Sequence, residues 1–90
     1  MKYIVVETTP GHEDIHLFSS GLKHVDMAVR ITGRPPHLLK EVVVSAGEIF
    51  YEAYKDEPTI MYCTGESVSL KVKSRGVVDT DLLIATLNAR

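Results

Sequence analysis

Within residues 66–74, Glu-Ser-Val-Ser-Leu-Lys-Val-Lys-Ser, polar and apolar side chains alternate strictly from Ser67 to Lys73. Because successive side chains on a strand point to opposite faces, this pattern predicts a half-buried β-strand. Val68, Leu70 and Val72 are expected to cover the core, and the opposite side is expected to face solvent. That polar side, which we call the cationic stripe, consists of Ser67, Ser69, Lys71 and Lys73, with Arg75 just beyond it.

Four further β-rich runs predict the rest of a sheet. Residues 3–8 and 15–18 are expected to form an amino-terminal hairpin, and residues 41–54 and 59–63 to pair with the strand over 66–74 in a meander. Small residues around Gly47 interrupt the third run, which indicates a bulge or bend there. Turns are expected at residues 10–14, 55–58 and 64–66.

Two segments have helical patterns. Ser19 and Ser20 offer capping oxygens for a helix over residues 22–32, which a Gly-Arg-Pro-Pro run ends. A second helix is expected over residues 79–88, with Asp79 as its cap. Its apolar stripe is expected to be Leu83, Ile84 and Leu87.

This element order, ββαβββα, indicates an α+β fold. Helices packed on one face of an antiparallel sheet give a two-layer arrangement. Ninety residues are enough for one modest core, so we expect a single small domain over residues 1–90.

Composition bounds the class of protein. The hydrophobic share is 44% and the charged share 24%, as in ordinary globular domains, and a net charge of −2 disfavours nucleic-acid binding driven by overall charge. The single cysteine, Cys63, excludes an intrachain disulfide and fits a reducing compartment. No signal-peptide pattern or long apolar run is present, so we expect a cytoplasmic protein that does not span a membrane.

Histidines raise the question of a metal site. His12 and His16 have helical ligand spacing, but they follow a Pro-Gly turn and enter a strand, so the geometry that makes this spacing specific is missing. We therefore expect no metal and no cofactor. His24 lies at the border of the first helix's apolar arc, where a ring hydrogen-bonded to backbone or to a serine is favoured over a general base.

Catalysis has weak support in the sequence. Ser45 and Cys63 are candidate nucleophiles, and His24 with Asp26 are a candidate base and acid. Neither nucleophile lies in a strand-to-helix elbow, and a chain of this size has little room for a water-excluding pocket. We expect a protein that is not an enzyme.

Several short motifs resemble a group of small uncharacterised proteins of bacteriophages, prophages and proteobacteria. They are His-Val-Asp-Met-Ala at 24–28, Val-Ser-Ala-Gly at 44–47, residues 62–70 and Lys-Ser-Arg at 73–75. The likeness spans residues 15–87 and implies a phage-related accessory protein, with no activity or ligand attached. It implies one shared polar surface made of His24, Asp26, Ser67, Ser69, Ser74 and Arg75. In that group the Ser-Arg step is followed by proline and an acid, so Gly76-Val77 here implies a later start of the last helix.

Two functions follow from these patterns. The first is a module that binds a host or phage protein through the cationic stripe, with an open sheet edge available for strand addition. The same edge also offers a contact for a homodimer. The alternative is binding of nucleic acid or a small anion by Lys71, Lys73 and Arg75. Single-strand binders interleave cations with exposed aromatic rings, and residues 66–75 contain none.

Overall fold

A four-stranded antiparallel sheet with two helices makes up most of the described chain. The computed structural model describes the backbone of residues 1–55 and 57–89, and their side chains except those of 54 and 57–60. The strands are β1 (Lys2–Thr9), β2 (His12–Phe18), β3 (Val43–Tyr54), β4 (Glu57–Thr64), β5 (Glu66–Ser67) and β6 (Val72–Lys73). The helices are α1 (His24–Thr32) and α2 (Val77–Asn88), with a 3₁₀ helix over Pro36–Glu41.

The sheet has the order β2-β1-β3-β4, so β2 and β4 are its edges. The predicted amino-terminal hairpin is confirmed as β1 and β2, and its turn is tighter than expected because β2 already begins at His12. The third and fourth predicted strands are confirmed as β3 and β4, which pair from Glu48↔Thr64 outward. Asp56 of the predicted 55–58 turn lies outside the described residues.

Both faces of the sheet are buried at its central strand β1, where Tyr3, Ile4, Val5 and Val6 are at most 5% exposed. On β1, Ile4 and Val6 point to a core that contains Ala28 of α1, whereas Tyr3 and Val5 point to a second core with Leu83 of α2. Since neighbouring side chains on a strand face opposite ways, the two helices lie on opposite faces of the sheet. The α+β class, the antiparallel sheet and the approximate element order are confirmed, and the helices are distributed over two faces instead of one.

The predicted strand over residues 66–74 is wrong. It folds as a small separate hairpin in which β5 and β6 pair at Glu66↔Lys73 and Ser67↔Val72, joined by a turn. Leu70 is buried as expected, but Val68 is 82% exposed. The hydroxyl of Ser67 accepts a hydrogen bond from the Leu70 backbone N–H at 3.2 Å, which closes the turn that replaces the strand.

β3 begins later than predicted, and its bulge lies at a different residue from the one predicted. The chain forms the 3₁₀ helix up to Glu41, so β3 begins two residues late. The bulge lies at Val44, where the pairing with β1 shifts between Ser45 and Val43. Gly47, the predicted bulge, is regular and buried, and a methyl group there would overlap the backbone carbonyl of Thr64.

β3 and β4 extend beyond the rest of the sheet. The pairing of β1 with β3 ends at Lys2↔Glu48, so residues 50–54 of β3 have only β4 as a neighbouring strand. The molecule is correspondingly elongated, with extents of 46 × 27 × 20 Å. We call residues 50–54 and 57–62 the aromatic arm. None of the described helices has the length and apolar composition needed to cross a membrane.

Candidate functional site

The carboxylate of Asp79 is fully buried between the sheet and α2. It accepts four hydrogen bonds, from Tyr3 Oη at 2.6 Å, Ser45 Oγ at 2.9 Å, the Arg75 backbone N–H at 2.9 Å and Arg75 Nε at 2.8 Å. The prediction that Asp79 caps the last helix is wrong by three residues. Gly76 precedes the first turn, so Asp79 sits inside it, where its carboxylate bonds the Arg75 N–H outside the helix.

Arg75 joins this carboxylate to β2. Its guanidinium donates to Glu13 through two nitrogens, at 2.8 and 3.0 Å, in addition to its bond to Asp79. Bidentate pairs of this kind hold the side chains in a fixed geometry. Arg75 is therefore committed within the fold and is not part of an exposed cationic stripe.

Ser74 completes the network. Tyr3 Oη lies 2.6 Å from both Asp79 Oδ2 and Ser74 Oγ. Because the phenol has one proton and the carboxylate is the stronger acceptor, Tyr3 donates to Asp79 and Ser74 donates to Tyr3. The Ser74 oxygen in turn accepts from the Gly76 N–H at 3.0 Å. We call Tyr3, Glu13, Ser45, Ser74, Arg75 and Asp79 the Asp79 network.

Hydrogen bonding determines how the network titrates. Burial alone would raise the pKa of Asp79, but the bonds from Tyr3, Arg75 and Ser45 outweigh it and hold that pKa below its ordinary value. The Arg75 guanidinium lowers the pKa of Glu13. Burial and the adjacent Asp79 carboxylate raise the pKa of the Tyr3 phenol.

The Asp79 network is arranged for structure. Throughout the described part of the chain, every buried side-chain nitrogen and oxygen has a hydrogen-bond partner. The candidate nucleophile Ser45 donates to Asp79, and the pKa of the other, Cys63, is raised by burial in the core. Among the described residues, neither Ser45 nor Cys63 is hydrogen-bonded to a histidine or lysine that could serve as the base in nucleophilic catalysis. This network could not be predicted from local sequence patterns, because its members are far apart in the chain.

The remaining polar positions of the predicted shared surface are divided between core and solvent. His24 is buried, and its Nε2 donates to the Gly47 carbonyl at 2.9 Å, which agrees with the expected bond to backbone. Asp26, its candidate acid partner, is exposed. Ser67 is buried, and the Ser69 hydroxyl accepts from the Val25 N–H at 3.4 Å. This hydroxyl caps α1, the role predicted for Ser19 and Ser20.

Two cations of the stripe remain accessible. Lys71 and Lys73 are exposed, whereas Ser67 and Arg75 are held inside the fold. Lys71 is the single non-glycine residue with a positive φ (57°) in the described part of the chain. The stripe is therefore not a continuous face.

Lys71 stands instead at the rim of an apolar groove. The groove lies between α1, the 3₁₀ helix and the turn that precedes β6, and has a volume of about 170 Å³. Lys40 is a second exposed lysine in its lining. The complete lining of this lysine-rimmed groove is Val25, Pro36, Leu39, Lys40, Val43, Ser69, Leu70, Lys71 and Val72.

The aromatic arm presents large rings to solvent on both of its faces. Phe50 and Tyr62 face each other across β3 and β4 as a stacked pair, with ring centroids 4.8 Å apart and an interplanar angle of 25°. Their exposures are 39% and 43%, and Tyr51 on the opposite face is 62% exposed. Strand alternation places Glu48 and Glu52 beside Phe50 on the same face. This surface was not predicted from the sequence, although the three consecutive large residues Ile49 to Tyr51 would place apolar or aromatic side chains on both faces of a strand.

No metal-binding group of three or more histidine, cysteine, aspartate or glutamate side chains occurs in the described ranges. Comparison of the chain with models of protein families, with curated proteins and with solved structures finds no match.

Proposed function

We propose that this chain is a protein-binding module of the cytoplasm and that the aromatic arm is its contact surface. The stacked pair of Phe50 and Tyr62, exposed on two strands that project past β1, is the observation that carries the proposal. Aromatic residues are enriched at the centres of protein interfaces, where they bury large areas with little loss of side-chain entropy. The resemblance to phage-related proteins makes a host or phage protein the expected partner.

The position of the arm adds to this support. β4 is an edge strand of the sheet, so the outer side of the arm is open to pairing with a strand of a partner. At the body of the molecule this edge is already covered, because the Cys63 N–H donates to the Thr80 hydroxyl of α2 at 2.8 Å. Strand addition is therefore expected along the arm and not along the whole of β4.

Paired affinity capture tests the proposal. Three baits are compared in a lysate of the organism that encodes the protein: wild type, the double variant Phe50→Ser/Tyr62→Ser, and Val68→Ser. Val68 is an exposed apolar residue in the turn before β6, so its variant controls for a general loss of apolar surface. Loss of two aromatic anchors is expected to weaken binding by roughly thirtyfold or more, as for interface hot spots.

The capture is read by quantitative mass spectrometry. Proteins retained by wild type and by Val68→Ser, but lost from the double variant, are the expected result. Equal retention by all three baits would overturn the proposal. Thermal melts check that the three baits are folded. We expect all three to be folded, because the substituted positions are exposed.

Anion binding, the alternative function, has narrower support. Of the three cations proposed to bind an anion, Lys71 and Lys73 are exposed, whereas Arg75 is bonded to the carboxylates of Asp79 and Glu13. On β3, the residues that flank Phe50 on the same face are glutamates and not cations. Titration with a labelled single-stranded oligonucleotide is expected to show no saturable binding at about 0.15 M salt. Binding that falls steeply with salt and is lost in Lys71→Glu/Lys73→Glu would favour this alternative.

A further inference from the structure

We propose that the lysine-rimmed groove of one copy receives Phe50 of a second copy, so that two chains exchange their aromatic arms. This inference rests on the proposed function, because it names the partner that the same arm contacts. It is carried by three features of the described residues: the volume of the groove, the charges around groove and arm, and the side of the sheet on which both lie.

The groove has room for one aromatic ring. Its volume is about 170 Å³, and an apolar protein cavity of about 150 Å³ binds benzene. Its floor is apolar and includes Leu39, Val43 and Leu70, which belong to the core on the α1 side. Phe50 is 39% exposed, whereas the other phenylalanine, Phe18, is buried in that core. The arm therefore supplies a phenyl ring and the groove an apolar site of matching size.

The charges around the two surfaces are opposite. Lys40 and Lys71 belong to the groove lining and are exposed, so their ammonium groups are available at its rim. Glu48 and Glu52 flank Phe50 on the same face of β3, each displaced by two residues, which is about 6.7 Å along a strand. In the proposed contact, the Phe50 ring of one copy, with Glu48 and Glu52 on either side, enters the apolar groove of the other copy, where Lys40 and Lys71 lie at the rim. Opposite charges at an interface rim favour the correct partner and its orientation.

The groove and the stacked pair lie on the same side of the sheet. Ala46 of β3 packs in the core with α1, and Phe50 follows it by four residues, so both side chains point to the α1 face. Val25 of α1 lines the groove on that side. Two copies related by a twofold axis can face each other on this side, each giving its arm and receiving the other. Such a reciprocal contact closes as a dimer.

Lys71 shows a second feature typical of a binding site. Its φ of 57° is unfavourable for a residue with a side chain, and such conformations persist where the surrounding structure holds them, often at ligand clamps. Here the conformation belongs to a residue of the groove lining.

Charge reversal on either surface provides the test. Two variants are prepared: Lys40→Glu/Lys71→Glu, which reverses the groove, and Glu48→Lys/Glu52→Lys, which reverses the arm. In each variant alone, groove and arm carry the same charge and repel. In an equimolar mixture of the two, both contacts of the mixed dimer join opposite charges. Analytical ultracentrifugation measures association of wild type, each variant, the mixture, and Phe50→Ala.

We expect wild type to form a dimer with increasing concentration, each reversed variant and Phe50→Ala to associate at least tenfold more weakly, and the mixture to restore the dimer. Val77→Ser, at an exposed position of α2 on the opposite face of the sheet, is the control and should associate like wild type. Wild type that remains monomeric at about 1 mM would overturn the inference, as would dimers of undiminished affinity in both reversed variants, which would place the contact elsewhere, for example on the outer side of α2. A monomeric wild type whose captured partner is lost in Phe50→Ser/Tyr62→Ser would refute the second copy as partner and leave the proposed function standing.

Discussion

Asp79 is a charged side chain without contact to solvent, and four hydrogen bonds offset its desolvation. The donors come from β1, β3 and the segment before α2, so a single carboxylate fixes the position of the helix on the sheet. Removing one of these donors would lower the stability of the fold, because the carboxylate oxygen that loses its hydrogen bond is buried and cannot bond to water instead.

Tyr3→Phe removes one of these donors and keeps the ring. We expect the free energy of unfolding to fall by about 1–3 kcal/mol, because both Asp79 and Ser74 lose a partner in a buried setting. Urea unfolding at pH 7 measures the change. Tyr51→Phe, whose ring is largely exposed, should change stability by less than about 0.5 kcal/mol. Equal values for the two variants would contradict the role assigned to Tyr3.

Gly47 is a position where even a methyl group is excluded. A Cβ there would overlap the Thr64 carbonyl and lie 3.2 Å from Ser74 Cβ. Gly47→Ala should therefore destabilise the protein by about 2 kcal/mol or more through forced displacement of β4. Gly21→Ala is the matched control, because its Cβ would meet nothing nearer than 3.8 Å. Thermal unfolding of the two variants compares them, and a Gly47→Ala protein as stable as wild type would refute the close approach.

At the level of whole elements, α2 shows how an apolar stripe is divided between core and surface. Leu83 is 1% exposed and packs with Tyr3 and Val5, whereas Ile84, one residue later, is 42% exposed. The sequence placed both residues in one stripe. The structure buries the side of the helix that also carries Asp79, because the Asp79 network sets its rotation.

The two adjacent residues give a matched pair of variants. Leu83→Ala should lower the free energy of unfolding by about 2–5 kcal/mol, since it leaves a cavity in the core that Leu83 shares with Tyr3, Val5 and Ile15. Ile84→Ala should cost less than about 1 kcal/mol, because much of its side chain stays in water. Urea unfolding checks both, and comparable losses would show that α2 is rotated relative to the sheet.

Residues 66–74 show where the sequence pattern misleads. Alternation over the seven residues from Ser67 to Lys73 satisfies a strand, but the same residues also satisfy a turn once Ser67 accepts a bond from the Leu70 N–H. The pattern found the buried Leu70 and could not find the exposed Val68. In α1, the sequence offered nearby serines as caps, whereas the structure uses Ser69 from this hairpin. Local patterns identified most elements, whereas one local hydrogen bond replaced the predicted strand by a turn and one long-range hydrogen bond caps α1.

For the molecule as a whole, the class and the four main strands were predictable because hydrophobic periodicity is a local property. The second helical layer was not predicted, because alternation elsewhere in the sheet says nothing about burial of both faces of β1. The sequence does contain a signal for it, since four consecutive apolar residues, Tyr3 to Val6, are typical of a strand that is buried on both faces. Of the polar residues proposed as a site, the structure commits Ser67, Ser74, Arg75 and His24 to internal bonds. The surfaces now proposed to bind a partner are the aromatic arm and the lysine-rimmed groove. Each is made of residues that are distant in the chain, so neither could be predicted from local patterns.

The Asp79 network makes the stability of the whole fold sensitive to acid. The folded-state pKa values of Asp79 and Glu13 lie below their ordinary values, so both groups stabilise the fold above about pH 4.3, the ordinary value for glutamate. That stability is lost as pH falls through the depressed folded-state pKa values. We expect urea midpoints to be nearly constant from pH 7 to 5 and to fall steeply below about pH 4.

Glu13→Gln should flatten this acid dependence, because one of the two titrating groups is removed while its shape is retained. Glu48→Gln, at an exposed carboxylate, should leave the slope unchanged. The test is to measure the free energy of unfolding of wild type and both variants from pH 5 to 3 and to compare its slope against pH. An identical slope in wild type and Glu13→Gln would show that the Arg75 pair does not contribute.

The hydrogen bond between Tyr3 and Asp79 joins residues 76 positions apart in the chain. On a ribosome, β1 is the first element of this domain to emerge, and its phenol lacks the Asp79 carboxylate until α2 has been made and has left the exit tunnel. A nascent chain stalled before that point lacks the carboxylate around which the sheet and the last helix assemble. We therefore expect the native fold to be completed only when nearly all of the domain has been translated, although β1 is synthesised first.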